Sequence, residues 1–334
     1  MVIFYHGDMD GISAANLYYR HCVSIETFTD FIEFEYENQN VVIETVNKYA
    51  KRNNNMMVFV FVDCFPDEYI VKYILENHIN VVVLDHHISK KESIDKFLQE
   101  GLINGLSYIG ASATLITWCW IKFNKNIQDI LYFLDKTKDS KKEQDENIPF
   151  AIKLVNSWDI WNGLYQDAEP YKIFFETQNF IPYDAKVKSL LEDNLSIRNA
   201  IRDGYTMMQF YHNWGQIYCE RYGYEVKYKT NNFFVLNIGN ANSKVFGDLI
   251  NKYDAVITYC NNGEIYKCSI YSVKENFDCA NFAENFGGGG HKGAAGFTFD
   301  TLPVWLMNKR SGLIFKEEEE VDKSKQRRVK RKNL

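Results

Sequence analysis

Long apolar runs, paired cysteines and a basic surplus are all missing from this chain. No stretch approaches the roughly 18 consecutive apolar residues of a membrane-spanning helix. The opening MVIFYHGDMD has neither the charged n-region nor the apolar h-region of a secretory leader. The seven cysteines form no CxxC pair and are odd in number, so neither a zinc knuckle nor a disulfide framework is expected. Together these absences lead to the expectation of a soluble, intracellular, cytoplasmic protein with no membrane partner. Eight of the 38 basic residues and five of the 44 acidic ones lie from Lys316 onward, which leaves 30 basic against 39 acidic before it. An acidic body argues against a coat on long nucleic acid held by counterion release, and favours small or short substrates.

At 334 residues and 46% hydrophobic content the chain can fill two cores. Residues 2–5, 56–62 and 81–84 read as buried strands, each followed by an acid or a histidine. Helical spacing separates them at 12–22, at 41–51 with the Asn53-Asn54-Asn55 turn behind it, and at 68–77; residues 25–36 alternate only loosely. Strands alternating with helices predict a doubly wound parallel sheet with its site at the strands' carboxyl ends. Residues 109–123 predict a buried helix whose N-terminus lies near that site, 136–147 a charge-dense loop, and 151–161 a helix ending in NSWDIWN. Residues 165–228 are mostly helical in pattern, and 233–238, 255–261 and 265–271 are strand-like. The expected fold class is α/β: a doubly wound parallel-sheet N-terminal domain (1–164), a helical connector (165–230), a smaller α/β C-terminal domain (231–315) and a disordered charged tail (316–334).

Four segments carry chemistry. HGDMDG places His6, Asp8 and Asp10 at alternate positions past a strand, so an extended backbone would point all three one way. By itself it is equally an Asp-Gly turn with Asp10 as a helix cap. Asp63 follows the second strand, Asp85-His86-His87 closes the third, and Asp159 stands between large aromatics, where by itself it reads as a helix-end acid between core tryptophans. Taken together, acids converging where parallel strands end would repel without a cation. His6, Asp8, Asp10, Asp63, His86 and Asp159 supply six ligands, which suits two divalent cations about 3.5–4 Å apart. Mixed imidazole and carboxylate ligation favours manganese, with magnesium, cobalt or iron also fitting. In GGGGHKGAAG (287–296), the glycines would let backbone amides approach an anion, a following helix N-terminus would add its dipole, and His291 and Lys292 would add hydrogen bonding and charge.

HGDMDG, FVDCF, LDHHIS, NSWDIWN and GGGGHKGAAG, in that order, resemble the motifs of the DHH phosphoesterase family with its DHH-associated C-terminal domain. That group includes RecJ-type exonucleases, nanoRNases of the oligoribonuclease type and cyclic-dinucleotide phosphodiesterases. The resemblance implies a dimanganese site on the larger domain, with the smaller one closing over the substrate. It implies Asp8 on one metal, Asp10 on the other, Asp63 bridging, and His86 and Asp159 completing the ligands of the second metal. His87 and His291, with Gly288, Gly289 and Gly290, would contact phosphate, and Asp85 would orient the histidine pair. Two positions depart from the common pattern. His6 stands two residues before Asp8 rather than four, as in RecJ-like members, and Tyr271 occupies the place where many members carry a phosphate-clamping Arg, so its ring is expected to bind substrate by stacking on a base. The implied activity is metal-dependent hydrolysis of short oligonucleotides or small nucleotide phosphodiesters by water activated between two metals. The alternatives are a cyclic-dinucleotide phosphodiesterase, a RecJ-like single-strand exonuclease and a catalytically silent nucleotide-binding module. The oligomeric state is left open, a homodimer included.

Overall fold

The computed structural model describes residues 1–22, 29–50, 57–137 and 147–307. The Asn53-Asn54-Asn55 turn, most of the charged loop at 136–147 and the tail at 316–334 lie outside the described residues. The chain divides into two units, Met1–Gln209 and Phe210–Leu334.

In the first unit the elements run β1 (Val2–Tyr5), α1 (Met9–Cys22), β2 (Asp30–Glu33), α2 (Asn40–Ala50), β3 (Val58–Val62), α3 (Glu68–Glu76), β4 (Asn80–Asp85), α4 (Ile88–Gln99) and β5 (Asn104–Ser107). Helices then follow without further strands: α5 (Ala113–Lys122), α6 (Ile127–Thr137), α7 (Phe150–Asp159), α8 (Ala168–Glu176), α9 (Ala185–Glu192) and the start of the long α10 (Asn194–Tyr222), whose residues from Phe210 belong to the second unit. The sheet has the order β2-β1-β3-β4-β5, and every pairing is parallel. VIFY, VFVFV and VVVL are apolar at consecutive positions because helices cover both faces, so side chains of either parity are buried. Ile3, Tyr5, Val60, Val62 and Leu84 join one core with α1, α5 and α7. Val2, Phe4, Phe59, Phe61, Val81 and Val83 join the other, with α2, α3 and α4.

The sheet holds five strands where the sequence pattern showed three. β2 is a four-residue edge strand, DFIE, without full burial at any position. β5 is NGLS, whose Gly105 has φ 132° and lies against β4 so closely that a Cβ there would meet the Val83 carbonyl oxygen at 1.8 Å. Hydrophobic periodicity therefore missed both, one through partial exposure and the other because a close backbone approach demands glycine.

The second unit carries a six-stranded sheet of β6 (Tyr224–Tyr228), β7 (Asn231–Asn237), β8 (Ala255–Asn261), β9 (Tyr266–Tyr271), β10 (Gly289–His291) and β11 (Ala294–Phe299), with α11 (Cys279–Glu284) before β10. Its order is β10-β11-β9-β8-β7-β6; β7 and β8 pair in parallel and the rest antiparallel. β6 falls within the stretch expected to be helical, because its alternation YEVKY is short and follows a continuous helix. The predicted helix at 109–123 begins four residues late, at Ala113, behind the N-cap Ser112. Among the described residues no helix is long and apolar enough to cross a membrane.

Gly105→Ala tests the tight β4–β5 pairing. It is expected to destabilise the first unit by about 1–3 kcal/mol, the range for overpacking a close contact. The measurement is the shift in denaturation midpoint, with near-wild-type stability the contrary result.

Candidate metal centre

Strand order 2-1-3-4-5 reverses direction of winding between β1 and β3, and open α/β sheets form their crevice beyond the carboxyl ends at such a point. Here β1 runs out into His6, β3 into Asp63 and neighbouring β4 into Asp85-His86-His87. Asp63 adopts φ 59°, a left-handed conformation that Asp tolerates better than most residues. Its carboxylate is almost fully buried.

All six residues expected to hold metal are brought together. His6 Nδ1 lies 2.9 Å from Asp8 Oδ2 and 3.7 Å from Asp63 Oδ2. His86 Nε2 lies 3.0 Å from Asp63 Oδ1, 3.4 Å from Asp159 Oδ2 and 3.9 Å from Asp10 Oδ2. The ligand atoms form overlapping triads, each within 4.8 Å: His6, Asp8 and Asp63; Asp10, His86 and Asp159; and Asp63, His86 and His87. Asp63 thus belongs to both sides of the cluster. His87 Nδ1 is 2.8 Å from Asp85 Oδ1, so a proton on Nδ1 is donated to the fully buried Asp85.

The surrounding backbone fixes these side chains. Asp8 accepts a hydrogen bond from the Gly11 amide at 3.0 Å. Asp10 accepts from the amides of Ala113 and Thr114 at 2.7 and 2.9 Å, so its carboxylate caps the N-terminus of α5, where the helix dipole favours an anion. Asn156 Oδ1 accepts from the Ser112 amide at 2.8 Å and ties α7, which ends in Asp159, to the same helix start. Asn156 and Thr114 were not singled out from the sequence. Asn156 stands in NSWDIWN, but nothing in a linear pattern pairs it with residue 112.

The electrostatics mark a site where, among the described residues, carboxylates outnumber the imidazoles that face them. Burial, then repulsion from Asp10, Asp8 and Asp159, pushes the Asp63 carboxyl well above the usual range. Burial followed by repulsion from Asp10, Asp8 and Asp85 pushes Asp159 to about 9. Burial would raise Asp8 too, but its hydrogen bond and charge interaction with His6 leave it below its ordinary value. The His6 and His87 imidazoles are raised, chiefly by their hydrogen bonds to Asp8 and Asp85. Asp159 Oδ2 is buried and accepts no hydrogen bond among the described residues. Buried carboxylates, an oxygen without a donor and imidazole nitrogens at one place are a donor set that fits divalent cations of the manganese type.

The second unit holds the other expected residues, and there the structure corrects one of the arguments. Strand β11, not a helix, follows the glycines. The helix α11 precedes them, and Gly287, at φ 75°, ends it, with Gly287 and Gly288 amides donating to the Glu284 and Ala283 carbonyls. The run therefore meets the negative end of a helix, and no N-terminal dipole assists anion binding. Gly289, Gly290 and His291 form the exposed strand β10, and Gly288 precedes it half-buried. Tyr271 is half-buried against a cluster that includes Phe234 and Val256. The tryptophans beside Asp159 are not both core residues as expected: Trp158 packs against the core, whereas Trp161 is 78% exposed.

No protein-family model matches the sequence, and neither does any curated protein. Solved structures similar to it include an exopolyphosphatase-related protein from Bacteroides fragilis, 14% identical over 90% of this chain and 87% of that one, TM-score 0.45. RecJ in complex with Mn²⁺ from Thermus thermophilus is 15% identical over 90% of this chain and 49% of that one, TM-score 0.45. A pGpG-specific phosphodiesterase from Vibrio cholerae is 11% identical over 90% of this chain and 93% of that one, TM-score 0.39.

Carboxyls raised on folding bind more protons folded than unfolded, so their contribution to stability is full at low pH and is lost as pH rises. For Asp159 the window runs from its ordinary carboxylate range up to about 9. In chelator, the melting temperature is expected to fall as pH rises through that window, and manganese should reverse most of the fall. A melting temperature insensitive to manganese at about pH 8, within that window, would contradict the cation fit.

Proposed function

We propose that this chain is a divalent-metal-dependent phosphodiesterase acting on short oligonucleotides or small nucleotide phosphodiesters. The observation that carries the reading is the shared position of Asp63, buried between the His6–Asp8 side and the His86–Asp159 side of one acidic cluster. His6, Asp8, Asp10, Asp63, His86 and Asp159 would hold two cations, manganese suiting the donor set, with Asp63 common to both. Bound there, such cations supply Lewis acidity toward a phosphoryl oxygen and acidify water at neutral pH.

The remaining work belongs to the chain's own groups. Asp85 receives the Nδ1 proton of His87 and leaves Nε2 to face a substrate oxygen. Because Asp85 raises the His87 pKa, the ring carries a second proton more readily and can donate it from Nε2 to a phosphate oxygen. Asp10 holds the start of α5 through two amides, so it resists displacement when substrate enters. In the second unit, the Gly288, Gly289 and Gly290 backbone and the exposed His291 are assigned to a substrate phosphate. The five ordered motifs, all with their polar positions filled, support hydrolysis over a catalytically silent binding role.

Asp63→Asn retains the left-handed backbone and the side-chain volume while removing the shared negative charge. With manganese present it should keep less than about a tenth of wild-type kcat/KM on a dinucleotide, a loss of more than about 1.4 kcal/mol in transition-state stabilisation. Retention of most activity, with circular dichroism native, would remove the shared carboxylate from the mechanism. A panel of a dinucleotide, a cyclic dinucleotide, adenosine bisphosphate and a long single strand assigns the substrate class.

His291→Ala is expected to leave manganese-induced stabilisation unchanged while lowering kcat/KM about 10- to 150-fold, the scale of a charge-assisted hydrogen bond. Unchanged kinetics would take the glycine-rich segment out of substrate binding.

A further inference from the structure

Among the described residues, Trp161 is the largest side chain that the first unit leaves in solvent, at 78% exposed, and it stands two residues after Asp159. Two virtual bonds limit the distance between their Cα atoms to about 7.6 Å. Its backbone has φ 53°, a region that bulky side chains rarely enter. A tryptophan there neither fills the core nor relaxes the turn.

The turn is nonetheless firmly built. The Trp161 amide donates to the Trp158 carbonyl at 3.2 Å, and Ile160 to Asn156 at 3.1 Å. Asn162 Oδ1 accepts from Ser157 Oγ at 2.8 Å and from the Leu164 amide at 3.1 Å. The two indoles lie against each other with centroids 4.9 Å apart and planes tilted by 38°. Trp158 is half-buried against the core and anchors the pair, and Lys172 Nζ lies 5.1 Å from its ring centroid. Through Asn156 and Ser112 this turn shares its footing with the helix start that Asp10 caps. The turn that carries the exposed indole is therefore tied to the helix start at the acidic cluster.

We infer that Trp161, backed by Trp158, is a stacking platform for a nucleobase of the substrate whose phosphodiester lies at the acidic cluster. The inference rests on the proposed phosphodiesterase reading and specifies its substrate class: nucleotides bearing an accessible base, in preference to base-free phosphodiesters. An aromatic face accepts any base, because every base has a π-face, so the platform selects for a base without selecting its identity. It differs from the expectation, raised by the missing Arg at Tyr271, that the Tyr271 ring would bind substrate by stacking on a base; that ring is partly buried in its own unit.

The test compares a dinucleotide with the abasic counterpart of the same sugar–phosphate backbone, using wild type, Trp161→Ala and Trp161→Phe with manganese. In Trp161→Ala the ratio of the two kcat/KM values should fall about 5- to 150-fold, the range for loss of one stacked base. The change should appear mainly in KM, and Trp161→Phe should restore most of the ratio. An unchanged ratio in Trp161→Ala, with wild type active, overturns the platform and leaves the phosphodiesterase intact. Wild type inactive on both compounds overturns the phosphodiesterase instead. Calorimetric binding of the dinucleotide then decides the platform: tighter binding by wild type than by Trp161→Ala upholds it, and equal or absent binding overturns it. Because Trp161 is exposed, melting temperatures of the variants should stay near wild type.

Discussion

Repulsion among buried carboxylates is the constraint on which the candidate centre depends. Asp8, Asp63 and Asp85 come from the ends of three strands, Asp10 from the first turn of α1 and Asp159 from the end of α7, and the cationic partners they find in the described cluster are imidazoles. Like charges at such range raise the cost of ionising each neighbour, and burial raises it further. The consequence is visible at Asp63 and Asp159, whose carboxyls are both pushed upward. A fold does not retain such an arrangement for stability, since apolar side chains of similar volume would pack there without the charge penalty. Divalent cations held there would reconcile the geometry with the charge.

The parallel sheet explains how residues as far apart in sequence as His6 and Asp159 meet. Because every pairing in it is parallel, the carboxyl ends of β1, β3 and β4 lie along one edge, and each strand delivers its next residue there. The two helices that complete the cluster are held by side-chain caps rather than by apolar packing alone. Asp10 caps α5, and Asn156 joins α7 to it. Asp10 thus serves both architecture and charge, so a change there is read less cleanly than one at Asp63.

Aromatic side chains divide into two populations with different consequences. Phe233, Phe282, Phe286, Phe297 and Trp305 pack around α11 and one face of the second sheet, where ring area substitutes for long aliphatic side chains. Trp161 does the opposite: a large apolar surface is placed in water on a turn braced by Asn162 and Trp158. Composition treats both populations alike. Only their surroundings separate a core ring from one offered to a ligand.

Several parts of this protein were legible in the linear sequence because their physics is local. Consecutive apolar residues in VIFY, VFVFV and VVVL announce strands covered on both faces. The acids and histidines that follow them announce a site, since in a parallel sheet those positions must converge. The edge strands β2 and β5 were not legible, because one is half-exposed and the other is built on a glycine required by a neighbouring carbonyl. The polarity of the helix beside the glycine run could not be read either: a glycine run is compatible with a helix before it or after it, and chain order in space decided which. The place of Asp63 between the two sides of the cluster was implied by the motif resemblance and not by its own segment, and nothing in the sequence told that of two tryptophans flanking Asp159 one is packed and the other exposed. Residue type and order determined which chemistry was present. Tertiary structure decided which atoms share it, because distances between side chains from separate strands and helices depend on the packing of the whole sheet and not on any segment of it.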